Sequence, residues 1–386
     1  MKFDFDTLPD RRATESVKWI DCGDEILPMW VADMDFRSPE AIVRALQKRV
    51  EHGVFGYPYC PECVRAVVVE WLERRHGWSV TPEDLVFIPG VVTSFNLAAH
   101  AVTRPGDGVL VQTPTYGPFF GVEKNASLVQ QEMELHQGVD GQYAIDYEAF
   151  EAALTGRTRI FMLCNPQNPT GRVFRQDELE RMAEICLRNE IIICSDEIHS
   201  DLIFSGHKHI PIASLAPEIA AKTITLIAPS KTFNIAGLKA SVAIISDEEL
   251  RKQFEGARKG LVGGVNLLGY TALEAAYADG EPWLEALLGY LEANRDFAYE
   301  FVNAELPGIR MAKPEGTFLA WLDCRAIKME EKHNQFFKEN AKVWMNDGAW
   351  FGAGGEGFVR LNFGCPRSML AEALNRMRDA LHNPVG

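Results

Sequence analysis

From about residue 60 the sequence alternates between short Val/Ile-rich runs and longer stretches with helical periodicity. The runs fall at 85–88, 108–112, 128–132, 158–163, 191–194 and 223–227, and helical patterns at 61–76, 93–103, 117–125, 147–154 and 176–189 are interspersed among them. A short run that is apolar on both faces must be covered on both sides, and helices between successive runs bring the runs parallel. This pattern predicts an α/β fold with a mainly parallel sheet. Helices near 247–280 and 282–305, strands near 317–323 and 357–363, and a closing helix at 367–382 then read as a smaller α+β unit. The expected division is an N-terminal arm over 1–40 that packs on the small unit, a large domain over 41–285 and a small C-terminal domain over 286–386.

The arm has no periodicity of its own. Its apolar stretch Leu27–Phe36 carries two buried-looking carboxylates, Asp33 and Asp35, so it must pack against something else. Ser38 and Pro39 read as the cap and first position of a helix reaching about His52, which Gly53 ends. Phe55-Gly56-Tyr57-Pro58 follows as a loop that holds the backbone stiffly around Tyr57.

Composition narrows the function. With 54 Asp and Glu against 39 Lys and Arg, the net charge of −15 argues against nucleic acid or an anionic membrane as the main partner. Residues 1–12 are polar and no apolar run reaches membrane-spanning length, so a cytoplasmic protein is expected. Eight cysteines in a chain of 386 residues then read as reduced thiols. The pair Cys60 and Cys63 has redox or zinc spacing but lacks a second pair, and His207-Lys208-His209 lacks a further ligand and reads as a solvated loop, so no metal is expected.

Several strand ends carry residues suited to chemistry. Lys231 follows the run Thr223–Ile227, among Pro229, Phe233 and Ile235. An amine there is partly desolvated, more easily neutral, and able to form a Schiff base or move a proton. Asp196 directly extends the apolar run from Ile191, which implies a positive partner, whereas Glu197 reads as a helix cap or surface acid. In Asn165-Pro166-Gln167-Asn168-Pro169-Thr170-Gly171, two Asn-Pro pairs stiffen a loop that presents Asn168. Tyr116 sits in a similar rigid loop, and the turn Pro89–Thr93 offers backbone amides at a helix start. Arg360 lies inside an alternating late strand, where its fork fits a carboxylate. The glycine-rich Gly352–Gly357 precedes a strand instead of opening a helix, so it is no dinucleotide site.

In this order, these pieces resemble the fold-type I pyridoxal-phosphate enzymes of the class I/II aminotransferase superfamily, over nearly the whole chain. Pro28–Phe36, Phe55–Pro58 and Ser230–Asn234 look like its MalY/PatB branch, the carbon–sulfur β-lyases. The resemblance implies a pyridoxal 5'-phosphate cofactor bound through Lys231, which also moves the α-proton. It implies Asp196 on the pyridine nitrogen, Asn168 on the phenolic oxygen and Tyr116 stacked on the ring. Ser230, the amides of Val91 and Val92, and Lys239 are implied for the phosphate, with Tyr57 reaching the phosphate of a neighbouring subunit. Arg360 is implied for the substrate carboxylate, with Asn168 and Tyr57 beside it. Two positions depart from many aminotransferases: His199 stands where a tyrosine is common and Lys239 where an arginine is. The implied activity is β-elimination of cystathionine or a related cysteine S-conjugate by a homodimer with sites at the subunit interface. An aminotransferase is the enzymatic alternative, and a partner-binding regulatory protein retaining the fold is the other.

Overall fold

The computed structural model describes residues 3–382. The alternation expected from residue 60 forms one seven-stranded sheet. Its strands in chain order are β1 (Leu85–Ile88), β2 (Gly108–Thr113), β3 (Val129–Glu134), β4 (Thr158–Cys164), β5 (Ile192–Asp196), β6 (Thr223–Ile227) and β7 (Ser241–Ile244). Across the sheet the order is β1-β7-β6-β5-β4-β2-β3. Strands β2 to β6 pair in parallel, while β7 is antiparallel to both β1 and β6. The sequence reading contains no strand at β7. That run is short and opens on Ser241, a polar residue that becomes compatible with burial only because its hydroxyl donates to Ile88 O (2.8 Å) and accepts from Gly90 N (3.2 Å).

A second, antiparallel sheet follows, in the order β8-β9-β11-β10: β8 (Arg310–Met311), β9 (Leu319–Asp323), β10 (Asn346–Asp347) and β11 (Phe358–Asn362). Helix Glu281–Glu305 buries Trp283, Leu284, Leu287, Leu291, Ala298 and Val302, a stripe at helical spacing. That stripe shares one apolar core with β9, β11, the helix Arg367–His382 and the arm residues Met29, Met34 and Phe36. The helical region 247–280 is two helices, Glu248–Arg258 and Leu267–Asp279, parted at Gly260, whose φ of +77° a helix does not allow.

The arm is held by polar contacts at both sheets. Leu27–Pro28 pairs in parallel with Val343–Trp344, and Asn362 N donates to Met29 O (2.9 Å). Asn362 Nδ2 donates to Val31 O and Asp33 O, at 2.6 and 2.7 Å. On the other side Asn234 Nδ2 donates to Met34 O (2.7 Å) and Phe36 O (2.8 Å), and its Oδ1 accepts from Met34 N (2.9 Å). Ser38 is no helix cap: its hydroxyl donates to Asn234 O (3.1 Å), and the helix Glu40–Glu51 starts without a side-chain cap. Asp33 and Asp35 are paired as their setting requires. Arg11 bonds both, and the fully buried Lys18 lies 2.6 Å from Asp35, which also accepts from Trp19 Nε1 at 2.9 Å.

Removing one partner of a buried ion pair leaves the other charge uncompensated, which costs about 3–5 kcal/mol. Asp35→Ala is therefore expected to lower the unfolding free energy, measured by urea titration, by that order, with Lys18→Met in the same background recovering part of it; an unfolding free energy unchanged by Asp35→Ala would show that the pair does not hold the arm.

Candidate active site

A cavity of about 600 Å³ opens at the carboxyl ends of the parallel strands, where β11 and the arm approach the large sheet. Open α/β sheets offer ligands this position because the strand ends deliver loops and helix starts to one crevice. Lys231, Asp196, Asn168, Tyr116, Val91, Val92, Ser230, Lys239, His199 and Arg360 all line it. Tyr57 does not; its side chain is fully exposed in the irregular segment before helix Glu62–His76.

Lys231 sits on a single helical turn, Pro229–Thr232, directly after β6. Its Nζ donates to Ala32 O of the arm at 2.6 Å. Burial, then the positive charges of Arg360 and Lys239, push the amine down to about 8 against the pull of Asp33 and Asp196. Asp196 ends β5 and is 3% exposed. Burial raises its carboxyl to about 7, although the Ile198 N–H (3.1 Å from Oδ1) and Lys231 favour the charged form. Both groups thus stand near the point of changing charge at neutral pH, a setting found at functional sites.

Glu197 is no surface acid. Successive side chains of a strand point to opposite faces, so Ser195 and Glu197 turn away from the face that Asp196 occupies. Glu197 is 1% exposed, accepts from the Ser195 hydroxyl (2.9 Å) and Ile212 N (3.2 Å), and lies 2.8 Å from His209 Nε2. His209 is accordingly buried rather than solvated, while His207 is exposed. Among the described residues no group of His, Cys, Asp or Glu is arranged to hold a metal, and the eight cysteines are free.

Arg360 comes from β11 and is buried. Its guanidinium donates to Asn168 Oδ1 (2.9 Å), Trp30 O (2.8 Å) and Asn346 Oδ1 (2.7 Å), all neutral oxygens, and its buried Nε has no partner. Burial lowers it to about 10, which leaves it charged at neutral pH. Burial and the neighbouring Lys231 and Arg360 drive His199 well below its usual range, so its imidazole is neutral, with a buried Nδ1 that lacks a partner. Tyr116 is pushed up to about 12 by burial and by Asp196, and remains a phenol. Gly90 at φ +108° leads into the helix Val91–Val102, whose N-terminus no side chain caps and whose first residues line the cavity.

Sequence reasoning missed part of the wall. Trp30 and Trp344 stack at 4.4 Å and 13°, and Trp350 stands edge-on to Tyr116 at 6.0 Å. Asn334 and Asn346 complete that side. Trp30 belongs to an arm segment already conspicuous in sequence, whereas Asn334 lies on the helical turn His333–Phe336 and Asn346 on the two-residue strand β10, both too short for a periodic signal.

Comparison with known proteins matches this arrangement. Residues 25–377 match the family described as aminotransferase class I and II. The chain is 46% identical to the cystathionine beta-lyase PatB of Bacillus subtilis, over 98% of this chain and 99% of that one. Cystalysin from Treponema denticola, whose crystal structure contains a pyridoxal 5'-phosphate cofactor, superposes with a TM-score of 0.95 at 35% identity, covering 99% of both chains. The pyridoxal-phosphate-bound C-S lyase of Staphylococcus hominis does so at 0.93 and 33%, covering 100% of both. With a match that spans most of its length and relatives this similar over their whole chains, the protein belongs to the class I and II aminotransferase family.

Proposed function

We propose that the protein is a pyridoxal-phosphate-dependent carbon–sulfur β-lyase that converts cystathionine or a related cysteine S-conjugate to a thiol, pyruvate and ammonia. The observation that carries this reading is the convergence of Lys231, Asp196 and Arg360 in one cavity, in a chain 46% identical to a cystathionine beta-lyase. The cavity suits the cofactor: a buried carboxylate that makes no ion pair among the described residues, an uncapped helix start with Ser230 and Lys239 on the same cavity wall, and a reactive-range amine fit a pyridinium, a phosphate and an aldehyde respectively. Bound there, pyridoxal phosphate supplies an electron sink that makes the substrate α-proton labile and a β-thiolate able to leave.

The chain's own residues do the rest. With the cofactor bound, Asp196 would keep a proton on the ring nitrogen, Asn168 would donate through Nδ2 to the phenolic oxygen while its Oδ1 accepts from Arg360, and Tyr116 would stack on the ring. His199, neutral, offers a second polar contact on that side. The amides of Val91 and Val92, the Ser230 hydroxyl and Lys239 would hold the phosphate. Arg360 binds the substrate α-carboxylate, for which its unpartnered Nε and its charge are free to serve. Lys231 Nζ would anchor the cofactor and would serve as the base that takes the substrate α-proton. Trp30, Trp344 and Trp350 exclude water from the thioether side chain.

We further propose a cytoplasmic homodimer with its sites at the subunit interface. Tyr57 is exposed together with Val54, Phe55, Tyr59 and Leu261, an apolar set that a second copy covers, bringing the partner's Tyr57 to the phosphate. The arm 1–40, large domain 41–285 and small domain 286–386 are the units we assign; the pairing of Leu27–Pro28 with Val343–Trp344 supports an arm that packs on the small one.

With cystathionine, the purified enzyme should release pyruvate in excess of any new amino acid formed from an amino acid plus a 2-oxo acid; dominant transamination would establish the aminotransferase instead. Lys231→Ala should lower pyruvate release by at least about 10²–10⁴-fold, the range of general acid–base catalysis, because it also removes the cofactor's anchor. The pH dependence follows from Lys231 near 8 and Asp196 near 7 in the cofactor-free protein: raising the pH frees the amine and ionises the carboxyl, and both changes favour the cofactor. The rate of cofactor uptake should therefore climb between pH 6 and 9, when followed by absorbance and corrected for the free cofactor's own titration. A rate that falls over this range contradicts the assignment.

A further inference from the structure

We propose that Asp201 is a positioning residue, which acts through Thr232 to fix Lys231 relative to Asp196. The inference rests on the reading of Lys231 as the reactive amine. Asp201 does not border the active-site cavity; it lies behind the lysine turn and lines a separate cavity of about 450 Å³ with His76. Lys231 and Thr232 are consecutive on the turn Pro229–Thr232, and their side chains part. Lys231 reaches forward to Ala32 O, while Thr232, wholly buried, donates its hydroxyl to Asp201 Oδ2 at 2.9 Å.

The other carboxylate oxygen is taken as well. Asp201 Oδ1 accepts from Trp71 Nε1 (3.1 Å) and lies 3.2 Å from His76 Nε2, both on helix Glu62–His76. Burial alone would raise the carboxyl, but His76, the Thr232 hydroxyl and Arg75 outweigh it and keep Asp201 ionised. Hydrogen bonds to a charged group are among the stronger ones, and a carboxylate gripped on both oxygens has little freedom to swing.

This anchor joins two separate strand ends. Asp201 closes the tight segment that begins at Asp196, where Ser200 N donates to Glu197 O (2.9 Å) and Leu202 N to His199 O (2.9 Å). Thr232 closes the turn after β6, where Phe233 N donates to Pro229 O (2.9 Å). Strands β5 and β6 fix these segments only up to their ends, Asp196 pairing with Leu226. Beyond them, the Asp201–Thr232 bond is a side-chain tie that sets the spacing between the Lys231 amine and the Asp196 carboxyl. A shift of that turn changes the distance from Lys231 to each charge acting on it: Arg360, Asp33, Asp196 and Lys239.

The test compares Thr232→Val, which keeps the shape and loses the hydroxyl, with Thr232→Ser, which keeps the hydroxyl, and with Asp201→Asn. In the cofactor-free proteins, the pKa of Lys231 is read from the pH dependence of its acetylation rate by peptide mass spectrometry; in the loaded enzymes kcat and KM for pyruvate release from cystathionine are measured. Thr232→Val and Asp201→Asn should displace the Lys231 pKa and lower kcat by about 10–100-fold, the cost of a small misplacement, with KM within about twofold. Thr232→Ser should restore both quantities to near wild type. If Thr232→Val proves too unstable to purify, the contrast between Asp201→Asn and Thr232→Ser carries the same decision. An unchanged Lys231 pKa and kcat in Thr232→Val, which lacks the bond, and in Asp201→Asn, which keeps a partner for Thr232 but loses the charge, overturns the proposal, as does a loss that Thr232→Ser shares. If the wild type releases no pyruvate, the β-lyase reading fails, and the acetylation measurement still decides whether Asp201 sets the state of Lys231.

Discussion

An extended segment without a sheet of its own lies between two sheets, and the site depends on how its backbone groups are satisfied. Residues 29–36 carry peptide groups into a buried region, where an unpaired carbonyl or amide is costly. Asn362 and Asn234 meet that demand from opposite sides, Asn362 from the strand that bears Arg360 and Asn234 from the loop that bears Lys231. Arg360 itself donates to Trp30 O and Lys231 to Ala32 O. The arm is thus a gauge between the two cationic groups. Its own position is set by the Arg11, Lys18, Asp33 and Asp35 cluster, where a slip would strand a buried charge.

Electrostatics inside the cavity follows from the same packing. Burial penalises every charge there, and Lys231 and Arg360 repel one another across it, so the weaker base gives way: Lys231 falls to about 8 while Arg360 stays charged. Asp196 is shifted the opposite way, to about 7, for the same reason. At neutral pH Arg360 is already charged, while Lys231 and Asp196 each lie close enough to their titration points to change charge as a ligand binds.

Most of the large sheet and most of the inner site were legible in the sequence, because both depend on local signals. A buried parallel strand is a short β-branched run, and the residue after it lies at the crevice; Lys231, Asp196 and Asn168 were found that way. Signals failed where burial depends on distant partners. Glu197 and His209 read separately as polar and exposed, and only the fold pairs them inside. Ser241 hides a strand because its hydroxyl is satisfied by another strand's end, and Asn346 enters the site only through its pairing with Arg360. Tyr116 in its rigid loop and the amides of the turn Pro89–Thr93 are likewise marked by local signals, and the cavity groups them with Lys231.

The measurement that tests the central claim most directly is borohydride reduction of the enzyme loaded with pyridoxal phosphate, followed by proteolysis and mass mapping of the reduced adduct. The account predicts one phosphopyridoxyl group per chain, on Lys231. An adduct on Lys239 or on a surface lysine instead, with Lys231 unmodified, would contradict it.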